Sequence, residues 1–194
     1  GSESPIKNCF KLNPSEFLIY DFKKKILKID KYWKLNYEES GVNKKEFSNK
    51  FIDLFKQSIN SHLRSDVPIG IYLSGGIDST SIAYIASKKL NYKNLTAFNL
   101  EFGNRTFDEN IEAQKTAKKL DINLINHKIE LNDQLKKFKS LIENLDEPLA
   151  DPGYLAVGMI AEVAKKHNFK VIISGDGGDE LFGGYEPFLK LNIF

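Results

Sequence analysis

The chain has 194 residues, 41% hydrophobic and 12% aromatic, which suits one domain with a filled core. Its 28 basic and 26 acidic residues leave a net charge of +2, too balanced to argue for a nucleic-acid partner. A lone cysteine, Cys9, excludes an intramolecular disulfide. No apolar stretch approaches a membrane span and no signal peptide is visible, so a cytoplasmic location without membrane partners is expected.

Gly1-Ser2 reads as a cloning remnant, and the chain as a piece of a longer protein. Residues 6–35 predict short strands, with a turn at Asn13-Pro14-Ser15 and apolar Phe17, Ile19, Phe22, Ile26, Leu27 and Ile29. Six lysines between Lys23 and Lys34 read as a solvated edge, since Lys also blocks unwanted strand pairing. From Lys44 to Arg64, Phe47, Phe51, Leu54, Phe55, Ile59 and Leu63 recur at helical spacing and predict an amphipathic helix packed on the core. Strand and helix then alternate. Strands are expected at 69–73, 95–100, 122–129 and 170–173. Helices are expected up to Leu90 and at 108–120, 133–145 and 154–168. This alternation predicts an α/β fold, a doubly wound parallel sheet with flanking helices, preceded by the short N-terminal strands. Ligands of such sheets bind beyond the carboxyl ends of the strands.

Three loops fall at such ends. The first is Ser74-Gly75-Gly76-Ile77-Asp78-Ser79-Thr80, between the strand ending at Leu73 and a helix. Glycine admits a close ligand, free amides of a helix N-terminus point at an anion, and the helix dipole favours negative charge. No Lys precedes Ser79-Thr80, so the Walker pattern is absent, as is G-x-G-x-x-G. The bland alternative is an ordinary strand-to-helix turn. The second loop is Leu100 to Glu109, in which Asp108 could merely cap the next helix. The third, Ser174-Gly175-Asp176-Gly177-Gly178-Asp179-Glu180-Leu181-Phe182-Gly183-Gly184-Tyr185, holds three carboxylates and five glycines in twelve residues. That composition is poor for a core, but it suits Mg²⁺ beside a phosphate. Its bland reading is a flexible acidic turn. Leu145-Asp146-Glu147-Pro148-Leu149-Ala150-Asp151-Pro152 reads equally as a site segment or as a helix stop followed by an N-cap. His62, His127 and His167 have no metal-ligand spacing, and Trp33 and Met159 are expected in the core.

The Ser-Gly-Gly-Ile-Asp-Ser loop resembles the pyrophosphate loop of the N-type ATP pyrophosphatases. With Phe107-Asp108-Glu109, Asp146-Glu147-Pro148-Leu149-Ala150-Asp151-Pro152 and the Ser174–Tyr185 segment, it resembles the synthetase domain of glutamine-dependent asparagine synthetases. The resemblance implies ATP-dependent amidation of a carboxylate, aspartate in the name-giving members, through an acyl-adenylate with release of pyrophosphate. It implies that Ser74, Gly75, Gly76 and Ser79 cradle the phosphates, and that Asp78 and Asp179 hold Mg²⁺. Leu73 and Leu100 would flank the adenosine of ATP, with Ser174 and Gly175 touching it through backbone. Asp176 stands where many members have Glu, about 1.5 Å shorter in reach, and would act in receiving ammonia. That ammonia would come from a glutaminase domain, to which residues 1–40 would connect, while 41–194 would form a synthetase domain truncated at its C-terminus. A homodimer is a further expectation. An amide-ring-forming cyclase, an amidotransferase acting on a surface-polysaccharide carboxylate, and a nucleotide-binding module without catalysis remain alternatives.

Overall fold

The computed structural model describes residues 2–36, 41–101, 109–149, 151 and 153–190. Near the N-terminus, β1 (Glu16–Asp21) and β2 (Ile26–Lys31) pair antiparallel, with Leu18 opposite Ile29. Asp21 Oδ1 closes the turn by accepting from the amides of Lys23 and Lys24 at 2.9 and 3.0 Å. All of β2 is exposed, which fits its lysines and leaves Trp33 57% exposed rather than in the core. Cys9 is an exposed free thiol.

Helix α1 (Lys44–His62) starts at Asn43, whose side chain accepts from the Glu46 amide at 3.0 Å. The predicted apolar stripe is only half used. Ile59 and Leu63 are buried and Phe51 and Phe55 half-buried, while Phe47 and Leu54 are 57% and 55% exposed. The reason is geometric: α1 meets the sheet layer through its C-terminal turns, against the end of the next helix.

The domain proper follows the expected alternation. β3 (Ile69–Tyr72) leads to α2 (Ile77–Tyr84), which runs on through a π-helical turn at Ile85–Lys89. β4 (Thr96–Glu101), α3 (Glu109–Leu120) and β5 (Asn123–Lys128) come next. α4 (Leu131–Ile142), α5 (Gly153–Lys166) and β6 (Val171–Ile173) complete the sheet. A helix of five residues, α6 (Gly178–Phe182), lies inside the segment expected to be a glycine-rich loop, and α7 (Glu186–Lys190) follows it. The four-stranded sheet is parallel throughout, in the order β5-β4-β3-β6.

Period-two alternation sends side chains to opposite faces. Ile69, Ile71 and Leu73 of the β3 segment, with Ala97 of β4, pack under α1, α2 and α3. Phe98 and Leu100 of β4 pack on the other face with Met159, Ile160, Val163 and Ala164 of α5. Ile71, Leu73 and Phe98 are fully buried, each contributing about 1.5–3 kcal/mol of apolar transfer. A Cβ on Gly70 would sit 2.6 Å from Phe98 Cε2, so the absence of a side chain on β3 makes room for that ring.

Candidate active site

From β3 the sheet grows one way through β4 and β5 and the other way to β6. Its switch point therefore lies between β3 and β6, where open α/β sheets bind ligands. Ile71 pairs with Ile173, so the Ser74 and Ser174 loops leave the sheet side by side. A cavity of about 430 Å³ opens between them, bordered by Ser74, Gly76, Asp78 and Ser79 on one side and by Gly175, Asp176, Gly177 and Asp179 on the other.

The first wall is braced by hydroxyls. Ser79 Oγ donates to Gly76 O at 3.2 Å, and the Gly76 amide donates to Ser74 Oγ at 3.3 Å. The Ser74–Ser79 hydroxyl contact, 3.1 Å, is then made with Ser74 donating, because the Ser79 proton is already engaged. Ser79 is buried, so it shapes the loop from within. Gly75 has φ +92°, a left-handed conformation that favours glycine. Gly76 occupies the N-cap of α2 with φ −68° and provides no side-chain cap. The first amides of α2 thus have no side-chain oxygen placed over them, as an anion site requires.

The second wall reaches the first through glycines. A Cβ on Gly175 would lie 2.9 Å from Asp78 Cβ, and one on Gly178 would lie 2.7 Å from the Asp78 carboxylate. A Cβ on Gly184 would fall on the carboxylate of Asp179. The glycines let α6 press against the start of α2, which brings Asp78 and Asp179 to one cavity, both half-buried. Helix α6 buries no residue of its own; the edge of Phe182 meets Phe51 of α1 at a centroid distance of 5.4 Å.

Four acidic residues, Asp78, Asp176, Asp179 and Glu180, border this cavity, with no Lys or Arg among its described lining. Phosphates would be repelled there without a bridging cation. Among the described residues no three His, Cys, Asp or Glu side chains form a metal-holding group. Two carboxylates, completed by phosphate oxygens and water, fit Mg²⁺, a hard ion usually bound by one or two carboxylates. Asp176 Oδ2 accepts from Ser174 Oγ at 2.6 Å, and Asp176 also borders a second cavity of about 330 Å³ against α5. Tyr185 donates to Glu180 Oε1 at 2.6 Å. That bond, with desolvation and the neighbouring negative charge, pushes the Tyr185 hydroxyl up to about 12. The same bond, seconded by backbone amides, holds the Glu180 carboxyl below its ordinary value.

Several expected residues lie elsewhere. The side chains of Leu73 and Leu100 are buried on opposite faces of the sheet and do not border the cavity, because strand alternation parts them. Phe107 and Asp108 fall outside the described residues, and Glu109 opens α3. Glu147 pairs with Lys11 at 2.8 Å, and Asp151 accepts from the Gly153 amide at 2.8 Å, the helix-start alternative for that segment. His62 and His167 each contact a carbonyl four residues back on their own helices, at 2.8 and 2.9 Å. Tyr72, Ile77, Glu180 and Tyr185 border the cavity without having been singled out as site residues. For Tyr185 the signal was present, in the last position of the acidic glycine segment. A larger hollow, about 730 Å³, lies at the amino ends of β4 and β5 and receives nothing from either loop.

Residues 50–193 match the family model described as Asparagine synthase. The chain belongs to the asparagine synthase family. It is 37% identical over 157 residues to asparagine synthetase [glutamine-hydrolyzing] 1 of Bacillus subtilis, covering 81% of this chain and 24% of that protein. It is 30% identical over 188 residues to a putative asparagine synthetase [glutamine-hydrolyzing] 2 of Methanocaldococcus jannaschii, covering 95% of this chain and 35% of that protein. The chain thus spans about a quarter to a third of the length of these two ligases. In fold it is similar to the glutamine-dependent NAD+ synthetase of Acinetobacter baumannii, solved with ADP: TM-score 0.51 and 18% identity over 87% of this chain and 31% of that one. Family membership agrees with the architecture, a parallel sheet flanked by helices with its loops gathered at the switch point. Among the described residues no helix is long and apolar enough to cross a membrane.

Proposed function

We propose that this chain carries the ATP site of a ligase that amidates a carboxylate, aspartate being the favoured substrate, with residues 41–194 as its synthetase domain and residues 1–40 connecting to a glutaminase domain. The observation that supports this best is the cavity at the switch point, where the uncapped start of α2 faces carboxylates without a basic residue in its described lining. An amide-lined slot takes phosphate, and the carboxylates ask for a cation between them and it.

In the proposed reaction a substrate carboxylate oxygen attacks the α-phosphorus of ATP. The α–β phosphoanhydride bond breaks, pyrophosphate leaves, and an acyl-adenylate remains. Ammonia then attacks the acyl carbon, AMP departs, and the nitrogen gives up a proton. The amides of the Ser74 loop and of the α2 start would orient the leaving phosphates. Asp78 and Asp179 would hold Mg²⁺, which when bound supplies charge neutralisation on the departing pyrophosphate. Asp176, fixed by Ser174 between two cavities, would take the proton from the attacking nitrogen.

Carboxylate-dependent exchange of labelled pyrophosphate into ATP tests the first half-reaction in the full-length protein, with aspartate in the first screen. Exchange should vanish in Asp78→Asn and in Asp179→Asn, and the double variant should be no worse than either single one. Asp176→Ala should keep exchange and lose amide formation. Normal exchange in either single variant at limiting Mg²⁺ would refute the metal assignment.

A further inference from the structure

Leu73 is the last residue before the Ser74 loop, and both of its backbone groups are held by β4. Its N–H donates to Phe98 O at 2.9 Å, one step beyond the last β3–β4 pair, Tyr72 with Phe98. Its carbonyl accepts from Asn99 Nδ2 at 2.7 Å. A side chain thus serves the carbonyl at the point where β3 departs from the sheet.

Asn99 is an unusual residue for that place. It is 2% exposed, on a strand whose neighbours Ala97, Phe98 and Leu100 are apolar and buried. Its Oδ1 is buried and has no partner among the described residues. A buried amide that satisfies one of its polar atoms and strands the other is costly, and an unpaired buried acceptor calls for an explanation. The gain is local. The bond fixes the Leu73 carbonyl, and through the planar peptide that follows it fixes the direction in which Ser74 leaves the sheet. Ser74 is also the hydroxyl that receives the Gly76 amide, so the orientation of the whole turn is inherited from that peptide.

We propose that Asn99 is a positioning residue that clamps the exit of β3 and so presets the Ser74–Gly76 loop for a nucleotide phosphate. The phosphate part rests on the proposed function, whereas the clamp itself can be read without nucleotide. In the full-length protein without ligand, the Asn99 side-chain amide should be protected from solvent exchange. In Asn99→Leu, of similar volume and without polar atoms, the amides of Leu73 and Gly76, which bond Phe98 O and Ser74 Oγ, should exchange at least tenfold faster than in the parent. Those of Ile71 and Ala97 should keep their rates, which separates a clamp from general loosening. With ATP and Mg²⁺, the KM for ATP in pyrophosphate exchange should rise about tenfold while the rate at saturating ATP stays near the parent's. A residue that serves only the core would lower the melting temperature without that split. Unchanged exchange at Leu73 and Gly76 in a folded Asn99→Leu overturns the clamp, whatever the nucleotide data show. If Asn99→Leu does not fold, rapid exchange of the Asn99 side-chain amide in the parent overturns it instead. A parent that fails to bind ATP refutes the proposed function, and the amide rates still decide the clamp.

Discussion

Gly75 and Gly76 are adjacent, but the fold treats them differently. Gly75 has φ +92°, so any side chain there is strained in the ligand-free chain. Gly76 has φ −68°, and an added Cβ would meet nothing nearer than Ser74 Oγ at 3.4 Å. Folding alone therefore gives no reason for glycine at position 76, whereas a ligand lying against the backbone does. Gly75→Ala should lower stability by about 1 kcal/mol, and Gly76→Ala should melt like the parent yet bind ATP–Mg²⁺ at least tenfold more weakly by calorimetry. Equal affinity in Gly76→Ala would remove the ligand argument. Tyr185 and Glu180 provide a second residue-scale test. The Tyr185 hydroxyl bond, with help from backbone amides, keeps the Glu180 carboxyl below its ordinary value. A depressed carboxylate contributes stability that is present above its unfolded pKa and lost as the pH falls through the folded one. In Tyr185→Phe the Glu180 carboxyl should titrate at higher pH, measured by carbon-detected NMR of its side chain, and this acid-labile contribution should shrink.

At the scale of elements, α6 is the weak member. It has five residues and a left-handed glycine at each end, and it buries none of its side chains. Its hold on α1 is the edge contact of Phe182 on Phe51. Phe182→Ala, which removes only this pair, should cost about 1 kcal/mol in a urea melt, the scale of one aromatic pair. Because α6 carries Asp179 and Glu180, pyrophosphate exchange should fall several-fold more than that stability loss explains. Leu54→Ala, on the exposed part of α1, should change neither within about 0.5 kcal/mol. The burial of β3 on both faces was readable from its residues, since Ile69 to Leu73 is an apolar run rather than an apolar–polar alternation. The partial use of the α1 stripe was not, because periodicity shows which face is apolar but not how far a neighbour extends along it.

For the whole molecule the order β5-β4-β3-β6 is decisive, because it sets two loops a hundred residues apart beside each other. If that junction holds ATP through a cation, ATP with Mg²⁺ should raise the melting temperature, by the equivalent of about 2.7 kcal/mol at a hundred times Kd. Chelating the Mg²⁺ should abolish most of the shift, since four acidic residues would then face bare phosphates. A shift of equal size without Mg²⁺ would contradict the cation-bridged site.

The sequence by itself determined the alternating α/β pattern, the Ser74 turn with its helix, and the acidic glycine segment, because each is written in contiguous residues with local physical meaning. It also carried the family resemblance in those same residues. Only the tertiary structure decided that Gly175 and Gly178 pack on Asp78, that Leu73 and Leu100 face opposite cores, and that Asn99 anchors the end of β3. Each of these depends on which strands become neighbours. That pairing is selected by burial of both sheet faces at once, a property of the assembled layers that no single segment contains.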